Sequence, residues 1–341
     1  MRVSFVIVTY NNSGALKGSL PALAVQMRSD DELIVVDNAS ADDSASLAGQ
    51  LVPGAVVVRN PGNTGFAAGC NRGAAAAKGD LLVFLNPDAE PAAGFREAIE
   101  RPAAGGAGWG AWMGLVTMEH GSVVNTSGGV LHFSGLGWAG QAGEPLAAAS
   151  GDAEVAFVSG ACFAIPRSSY ESAGGFPEHY FMYCEDVDLS LRLRLRGERL
   201  GVVADARVDH DYDYDKGAFK WRMLERNRLA TVIRTYPAAL LLLLAPALLV
   251  TELGILAASL AGGWTRQKLL AWTDLARALP VLLRERRAVQ AERRISAAEF
   301  ARWLTPELSS PYLPDVVRSG PVRLALRAYW RVVLALLRGA S

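Results

Sequence analysis

The protein has 341 residues, which is enough for one large domain with an appendage or for two ordinary domains, and either arrangement can bury a substantial core. Its 34 lysines and arginines equal its 34 aspartates and glutamates, so no overall charge attracts the chain to nucleic acid. Three cysteines without metal-ligand spacing exclude a disulfide framework and a cysteine zinc site, and they indicate a reducing compartment.

The first hundred residues alternate between apolar strands and helices. Continuous runs rich in β-branched residues predict strands at residues 3–9, 32–36, 55–59 and 81–85. The segments between them are predicted helices, the first capped by Ser13, the second by Asp42 or Asp43, and the third over residues 66–78. This alternation predicts an α/β fold with a mostly parallel sheet that helices cover on both faces.

The middle of the chain has a weaker pattern. Residues 105–143 are rich in glycine and tryptophan without a clear period, which predicts short strands and loops. Beyond them we expect a strand over residues 157–166, a short helix over 167–173 and a longer helix over 186–196. This part of the chain therefore does not continue the regular alternation of the first hundred residues.

After Tyr236 the composition becomes strongly apolar. Residues 238–260 contain one charge, Glu252, and one proline, Pro246, and they are long enough to cross a bilayer. Hydropathy alone leaves open whether they span the membrane, re-enter it or lie flat. We expect them to lie in or dip into one leaflet, because a span would place the following arginines on the opposite side from the preceding domain, against the positive-inside bias.

The last part of the chain is basic. Residues 264–341 contain 14 basic and 6 acidic residues, a net charge of +8, which leaves −8 for the rest of the chain. Residues 277–294 and 322–338 place arginines on one helical face and apolar side chains on another. A membrane surface is therefore the expected partner of residues 236–341, while a soluble helical bundle and a homodimer interface stay open.

Polar side chains follow each of the four strands predicted in the first hundred residues. They are Thr9, Tyr10 and Asn12; Asp37 and Asn38; Asn60 and Asn63; and Asn86 and Asp88. Asparagine and aspartate are common in turns for local reasons, so one such group alone carries little information. Ligands of open α/β sheets bind beyond the carboxyl ends of the strands, so four groups at this edge together predict a ligand site.

Six segments in a fixed order carry a specific resemblance. The chain resembles glycosyltransferase family 2, which has the GT-A fold, and within it the bacterial rhamnosyltransferases. The matching segments cover about residues 1–230 and are VSFVIVTYNN, ELIVVDNASADDS, RNPGNTGFAAGCNRG, GDLLVFLNPDA, FVSGACFAIPRSSYESAGGFPEHYFMYCEDVDLSLRLR and LERNRL. An ordered set of motifs is far more specific than an isolated glycine-rich loop.

The resemblance implies a domain organisation. Residues 1–235 would form the GT-A catalytic domain, with nucleotide-sugar binding in about residues 1–100 and the acceptor side in about residues 101–235. Residues 236–341 would form a helical region that associates with the membrane. A nucleotidyltransferase or dehydrogenase would instead need a P-loop or a G-x-G-x-x-G motif after the first strand, and the segment TYNNSG is neither.

The resemblance also implies how the nucleotide is bound. Asp37 would accept a hydrogen bond from the ring N–H of a pyrimidine base, in a pocket lined by Thr9 and Tyr10. An arginine such as Arg72 can make charge-assisted bonds to phosphate oxygens. The full set of residues implied in nucleotide-sugar binding is Thr9, Tyr10, Asn12, Asp37, Asn38, Asn63, Asn71, Arg72, Asn86 and Arg226.

Asp88 occupies the place of the family's metal-binding carboxylates, which implies a Mg²⁺ or Mn²⁺ ion. Either ion takes oxygen ligands and neutralises the leaving diphosphate. The sequence departs from the two-aspartate pattern because Asn86 holds the first place, where it would either bond the ribose or bind the metal weakly. His210 is the candidate for a further ligand by its position, and a structural hydrogen bond is its alternative role.

Glu185 and Asp186 open a predicted helix, where backbone N–H groups and the helix dipole stabilise carboxylates. The resemblance makes Asp186 the general base that takes a proton from the acceptor hydroxyl, with in-line attack and inversion at the anomeric carbon. Glu185 would orient the acceptor, and Asp188 would support the helix. Three tryptophans are expected to line the acceptor site, namely Trp109, Trp112 and Trp138.

The resemblance implies a donor, an acceptor and a location. The donor expected first is dTDP-rhamnose, although the family also uses UDP-hexoses and UDP-galactofuranose through the same motifs. The expected acceptor is a polyprenyl-linked or other cell-envelope glycan at the cytoplasmic face of the cell membrane. An inactive scaffold or partner subunit is the alternative; it would fit Asn86 but not the presence of Asp88, Glu185 and Asp186.

Overall fold

The structure of the chain is a computed structural model. It describes residues 1–106, 108–149, 151–211, 217–310, 313 and 315–339. Its contacts divide the chain into two compact units. The first comprises Met1–Gly129, Ala139–Leu193 and Glu198–Asp213, and the second comprises Val130–Trp138, Arg194–Gly197 and Tyr214–Ser341. The domain boundary at residue 235 stays a prediction.

The first hundred residues form the parallel half of a sheet in the first unit. In chain order the elements are β1 (Val3–Thr9), α1 (Ser13–Ala24), β2 (Glu32–Asp37), α2 (Ser44–Leu51), β3 (Val56–Arg59), α3 (Gly65–Ala76) and β4 (Leu81–Leu85). β1 pairs in parallel with both β2 and β4, and β3 pairs in parallel with β2. Every residue of β1 and β4 is buried, as expected for strands covered on both faces. The predicted alternation is confirmed.

The starts of the first two helices differ slightly from the expectation. Asn12 is the N-cap of α1, where Ser13 was expected, and Asp43 is the N-cap of α2. The Asp42 carboxylate accepts hydrogen bonds from the backbone N–H groups of Ser13 at 2.9 Å and Ser44 at 3.0 Å. Asp42 therefore ties the starts of both helices together at the edge of the sheet where the polar groups lie.

The rest of the first unit extends the sheet with strands of mixed direction. The next elements in chain order are β5 (Glu90–Pro91), α4 (Phe95–Gly105), β6 (Trp109–Met118), β7 (Val123–Thr126), β8 (Gly129–Leu131) and β9 (Gly137–Ala139), of which β8 and β9 belong mostly to the second unit. They continue with β10 (Ala153–Glu154), β11 (Cys162–Pro166), α5 (Arg167–Ser172), α6 (Glu185–Leu195) and β12 (Arg199–Asp209). The sheet order is β10-β12-β6-β11-β4-β1-β2-β3, with β5 paired to β12 and β7 to β6, while β8 and β9 form a separate pair.

The expectation of short strands and loops over residues 105–143 is wrong for β6. This ten-residue strand lies inside the sheet between β11 and β12, and seven of its residues are buried. Its sequence, WGAWMGLVTM, contains few β-branched residues, so its strand pattern is weak. Gly114 is needed there because a Cβ atom would lie 2.3 Å from the Ala206 carbonyl oxygen, where β12 departs from regular register.

The second unit is helical. Its helices are α7 (Gly217–Thr235), α8 (Ala238–Ala261), α9 (Thr265–Ala291), α10 (Ala297–Ala301) and α11 (Gly320–Gly339). α7 packs on α9, and α8 packs on α9, α10 and α11. Four charged side chains meet between α7, α8 and α9, and they are Glu225, Arg228, Glu252 and Lys268. The expected helical region after the catalytic motifs is confirmed.

Candidate active site

The predicted base pocket lies where β1 and β2 end. The parallel register places Thr9 beside Asp37, and both residues are buried. The Thr9 carbonyl accepts a hydrogen bond from the Asn38 backbone N–H at 2.9 Å, so the loops after the two strands stay paired. The Thr9 hydroxyl has no hydrogen-bond partner among the described residues, although it is 1% exposed. A buried hydroxyl without a partner is costly, which favours a ligand at this place.

The asparagines around the loop before α3 mostly bond to protein. Asn38 donates to the Gly65 carbonyl at 3.0 Å and accepts from Asn60 at 2.6 Å and from the Thr64 hydroxyl at 3.1 Å. Asn63 accepts from the Gly65 backbone N–H at 2.9 Å. Asn38 and Asn63 therefore shape this loop, and a direct contact of either side chain with a nucleotide stays a prediction.

Three further predicted nucleotide-binding residues lie in the same half of the unit. Tyr10 is 47% exposed at the end of β1, and the Asn12 backbone N–H donates to the Ser44 hydroxyl at 2.9 Å. Arg72 is exposed on α3, and its guanidinium donates to the side chain of Asn60. Tyr10 and Arg72 are thus both exposed and accessible to a ligand.

Asn71 has a different environment, because its amide group is fully used by the protein. Its nitrogen donates to the Phe176 carbonyl at 2.9 Å and to Glu178 at 3.0 Å. Its oxygen accepts from the Tyr170 hydroxyl at 2.7 Å and from the Phe176 backbone N–H at 2.9 Å. Asn71 therefore fastens the segment before α6 to α3, which leaves its predicted contact with the nucleotide untested.

The two predicted metal ligands, Asp88 and His210, meet beside Asn86 after the ends of β4 and β12. His210 Nε2 lies 3.0 Å from Asp88 Oδ1 and 3.4 Å from the Asn86 side-chain nitrogen. The His210 backbone N–H donates to the Thr117 carbonyl at 2.8 Å, and its carbonyl accepts from Asn125 at 2.9 Å. The imidazole is buried and the Asp88 carboxylate is partly exposed, so the pair faces outward through the carboxylate.

The donor set suits a divalent ion. Two ligands at right angles and about 2.1 Å from an ion lie about 3 Å apart, which matches the separation of Asp88 and His210. Carboxylate and imidazole are both accepted by Mn²⁺, while Mg²⁺ prefers oxygen. No group of three His, Cys, Asp or Glu side chains with this capacity occurs in the described part of the chain, and the third side chain beside Asp88 and His210 is the amide of Asn86.

The predicted catalytic pair lies at the start of α6. Glu185 is buried, and its Oε2 atom has no hydrogen-bond partner within the described chain. Burial and then the Asp186 charge raise the pKa of Glu185 well above its ordinary value. Burial also raises the pKa of Asp186, although the backbone N–H groups of Gly160 and Val187 donate to it and partly offset that effect. A raised pKa brings a carboxylate closer to the range useful to a general base.

The backbone that leads into the pair is strained. Phe181, Tyr183 and Cys184 have φ angles of 65°, 70° and 64°, in a region that non-glycine residues rarely adopt. The Phe181 carbonyl accepts a hydrogen bond from Ala67 of α3 at 3.1 Å. Asp188 differs from its neighbours because it accepts from Arg192 at 2.7 Å, the supporting role expected for it.

Two consecutive residues connect the metal candidates to the carboxylate pair. Gly160 donates its backbone N–H to Asp186 Oδ2 at 2.9 Å, and the Ala161 carbonyl accepts from the Asn86 backbone N–H at 2.9 Å. Adjacent Cα atoms are about 3.8 Å apart, so both groups lie around one short segment. Sequence reasoning missed this segment and the strained loop, because their role depends on backbone atoms; the glycine in the motif FVSGAC was the available signal.

The remaining predicted site residues are three tryptophans and one arginine, and the structure contradicts the prediction for one of the tryptophans. Trp112 does not line an acceptor site, since it is 1% exposed and donates its indole N–H to the Ile99 carbonyl at 2.7 Å. Trp109 packs its ring on Gly201. Arg226 lies in the second unit, on α7, where its Nε donates to Asn227 at 2.8 Å. Trp138 also belongs to the second unit and is half-buried.

The sequence matches a model of a protein family and is similar to known proteins. A model described as Glycosyl transferase family 2 matches residues 4–173. The N-acetylglucosaminyl-diphospho-decaprenol L-rhamnosyltransferase of Mycobacterium tuberculosis is 28% identical over 238 residues, which cover 62% of this chain and 76% of that protein. Relatedness of this extent agrees with the six motifs of the sequence.

Solved structures support the fold. The structure of S. aureus TarS 1-349 in complex with UDP-GlcNAc matches with a TM-score of 0.57 and 14% identity, covering 100% of this chain and 93% of that one. The structure of GalNAc-T7 with UDP, GalNAc and Mn²⁺ matches with a TM-score of 0.57 and 18% identity, covering 70% of this chain and 48% of that one. These likenesses concern the fold alone, and they confirm the GT-A expectation.

Proposed function

The chain belongs to glycosyl transferase family 2, and from this premise we propose that it transfers a sugar with inversion, with Asp186 as the general base. That the chain is a nucleotide-sugar glycosyltransferase follows from the family and its relatives. One observation carries the catalytic assignment: buried Glu185 and half-buried Asp186 have no cationic partner among the described residues, and Asp186 shares the Gly160–Ala161 segment with Asn86. Such uncompensated burial is common at functional sites.

In the proposed mechanism, the acceptor hydroxyl approaches Asp186 and loses its proton to the carboxylate as its oxygen attacks the anomeric carbon. The diphosphate leaves from the opposite side, which inverts the configuration. The Gly160 N–H holds Asp186 Oδ2 in one orientation, and the unpartnered Oε2 of Glu185 is available to orient the acceptor. The raised pKa of Asp186 predicts that the rate falls as the pH decreases through that pKa.

A divalent cation fits the other half of the proposal. Asp88 and His210 would hold Mg²⁺ or Mn²⁺, with Asn86 beside them, and the bound ion would neutralise charge on the departing diphosphate. A fold neighbour contains Mn²⁺. In the nucleotide pocket, the Asp37 carboxylate and the unpartnered Thr9 hydroxyl would contact the base. Contacts from Tyr10, Asn12, Asn63, Arg72 and Arg226 belong to the same proposal.

The relatives suggest the substrates. The Mycobacterium tuberculosis relative is named for rhamnose transfer to N-acetylglucosaminyl-diphospho-decaprenol. We therefore favour dTDP-rhamnose as donor, with UDP-hexoses and UDP-galactofuranose as alternatives, and a polyprenyl-linked glycan as acceptor. With such an acceptor, we propose that the enzyme works at the cytoplasmic face of the membrane and that residues 236–341 attach it there.

Thermal unfolding of the purified chain with nucleoside diphosphates tests the proposal. A ligand that binds only the folded state raises the melting temperature, so dTDP or UDP should do so, and more strongly with Mn²⁺ or Mg²⁺ present. The variant Asp88→Asn should lose the metal-dependent part of the shift. Asp30→Asn is the matched control, since this exposed acid precedes β2 and lies at the opposite edge of the sheet. No shift with any nucleotide would contradict the proposed site.

A further inference from the structure

One face of α8 is an exposed apolar stripe along the whole helix. The exposed positions recur every three or four residues and are Ala238, Ala239, Leu242, Ala245, Pro246, Leu249, Val250, Leu253, Gly254, Ala257, Ala258, Leu260 and Ala261. None is charged or polar. Leu242 is 77% exposed and Val250 is 69% exposed. An exposed apolar surface of this length marks an interaction site.

The opposite face of α8 is fixed to its own unit at both ends and in the middle. Leu240, Leu244 and Ser259 are buried. In between, Glu252 forms ion pairs with Arg228 of α7 and with Lys268 of α9, the latter at 2.8 Å. Trp272 donates its indole N–H to the same carboxylate at 2.6 Å. The only charge of the helix therefore faces inward.

Length does not decide whether α8 spans a bilayer. Its 24 residues measure about 36 Å, compared with a hydrocarbon core of about 30 Å, and it is the single helix of the described residues that is long and apolar enough to span. A span would have to break the ion pairs of Glu252 or carry Arg228 and Lys268 into hydrocarbon. Both are costly, so the one-sided stripe fits a helix that lies along the membrane.

α11 contributes positive charge, which is opposite in sign to the charge of anionic lipids. It packs on α8, where the Tyr329 hydroxyl donates to the Leu243 carbonyl. Exposed arginines recur on it at Arg323, Arg327, Arg331 and Arg338, beside exposed Leu324, Val332 and Leu336. The helix contains no acidic residue. Arg327 also pairs with Glu307 outside the helix.

We propose that the exposed faces of α8 and α11 form a docking surface for an anionic bilayer, with α8 lying in the plane of one leaflet. The inference rests on the proposed function, which places the acceptor lipid in that membrane. A second copy of the chain is the weaker occupant, because a two-fold interface uses the same patch on both copies and would place one basic face of α11 near another. Anionic headgroups pair with these arginines, while the stripe of α8 enters the acyl region.

Sedimentation of the purified full chain with vesicles tests the surface. Binding should be strong to phosphatidylcholine vesicles that contain phosphatidylglycerol, weaker to phosphatidylcholine alone, and weakened by salt. Replacing Arg323 and Arg331 by Gln should lower partitioning about 25-fold, since each arginine near an anionic surface contributes about fivefold. Lys17→Gln, an exposed charge of α1, is the matched control. Equal binding by both variants would overturn the electrostatic part, and a stable dimer without vesicle binding would assign the surface to a second copy.

The stripe is tested by Leu249→Glu with Leu253→Glu, which should abolish vesicle binding. Val25→Glu, at a residue 83% exposed in the first unit, is the control.

The orientation of α8 is tested with a fluorophore on Cys at 242, 249 or 260 and quenchers at different depths. Equal depths support the in-plane helix, whereas a deep centre with shallow ends would show a span and overturn it. Nucleotide-induced stabilisation is measured in parallel: if it persists without vesicle binding, only the docking surface fails, and if vesicles bind while nucleotides do not, the proposed function fails.

Discussion

Each of the two units contains a pair of carboxylates of which one is buried and the other half-buried, and the pairs have opposite surroundings. In the second unit, Glu225 bonds with Arg228 and Lys268, so its pKa lies below the ordinary value although burial alone would raise it. In the first unit, Glu185 and Asp186 have no cationic partner in the described structure, and burial raises the pKa of both. The charged form of an acidic side chain is thus stabilised in the second unit and destabilised in the first.

The difference in surroundings distinguishes a pair of carboxylates that stabilises the fold from a pair that is a candidate for catalysis. A buried carboxylate with two cations contributes to the packing of helices, and both of its oxygens accept hydrogen bonds from the protein. A buried carboxylate without a cation costs stability, and folded proteins tolerate that cost where the group has a function. The neighbouring strain at Phe181, Tyr183 and Cys184 falls next to the second kind of pair. We expect substitutions in the two pairs to affect different measurements.

The largest effect is expected from Asp186→Asn. Asparagine keeps the size of the side chain and its acceptor for the Gly160 N–H, but it cannot take a proton. Sugar transfer should fall by about 10² to 10⁴-fold. Donor binding measured by calorimetry should stay within about twofold, and Asp30→Asn should leave transfer unchanged. Normal turnover by Asp186→Asn would show that another group is the base.

Breaking the paired cluster should instead affect folding. Lys268→Met keeps much of the side-chain volume but leaves Arg228 as the one cation that Glu225 and Glu252 contact among the described residues, in a cluster where Lys268 is fully buried. Removing one partner of a buried ion pair costs about 3–5 kcal/mol. Denaturant unfolding should show this loss, while Arg266→Met, an exposed basic residue of the same helix, should cost little. Equal stability of the two variants would mean that the buried cluster contributes nothing.

The parallel half of the fold was predictable because its signals are local. Runs such as Val3–Thr9 and Leu81–Leu85 are continuous and apolar, and the polar groups after them lie at one edge by the geometry of parallel strands. β6 and β12 were not predicted, because glycines and charged residues obscure their pattern and their pairing is distant in sequence. Local periodicity cannot reveal a strand that is defined by its neighbours.

The candidate site was predictable to the level of residues but not of contacts. The motifs led to Asp88 with His210 and to the consecutive residues Glu185 and Asp186, and the structure places Asp88 and His210 3.0 Å apart, while the roles of all four stay predictions. No sequence pattern indicated that the Asn71 amide would make its hydrogen bonds to other protein groups or that Trp112 would lie in the core. Such outcomes depend on which side of an element a side chain faces after packing.

A smaller effect is expected at Asn71, which lies on α3 and acts on the unpaired carboxylates through the segment before α6. Asn71→Ala removes four hydrogen bonds to Tyr170, Phe176 and Glu178. We expect kcat to fall about tenfold, the order of a loss of about 1–3 kcal/mol in positioning, with little change in donor affinity. The adjacent Arg72→Ala should show the reverse pattern, with weaker donor binding. A large loss of donor affinity in Asn71→Ala would instead support a direct contact with the nucleotide.

The smallest effect, and the one that most directly sharpens the comparison, is a gain of stability in Glu185→Gln. The folded-state pKa of Glu185 is raised, so the folded protein binds the proton more tightly than the unfolded chain, and stability falls as the pH rises from the unfolded pKa of about 4.3. Glutamine removes this penalty. The variant should therefore match the wild type near pH 4 and exceed it by on the order of 1 kcal/mol at pH 8, while transfer decreases. Glu225→Gln should be destabilised at pH 8, because it removes an anion that two cations need. If both glutamine variants lose stability at pH 8, the first pair is compensated in the same way as the second, and the distinction between them is lost.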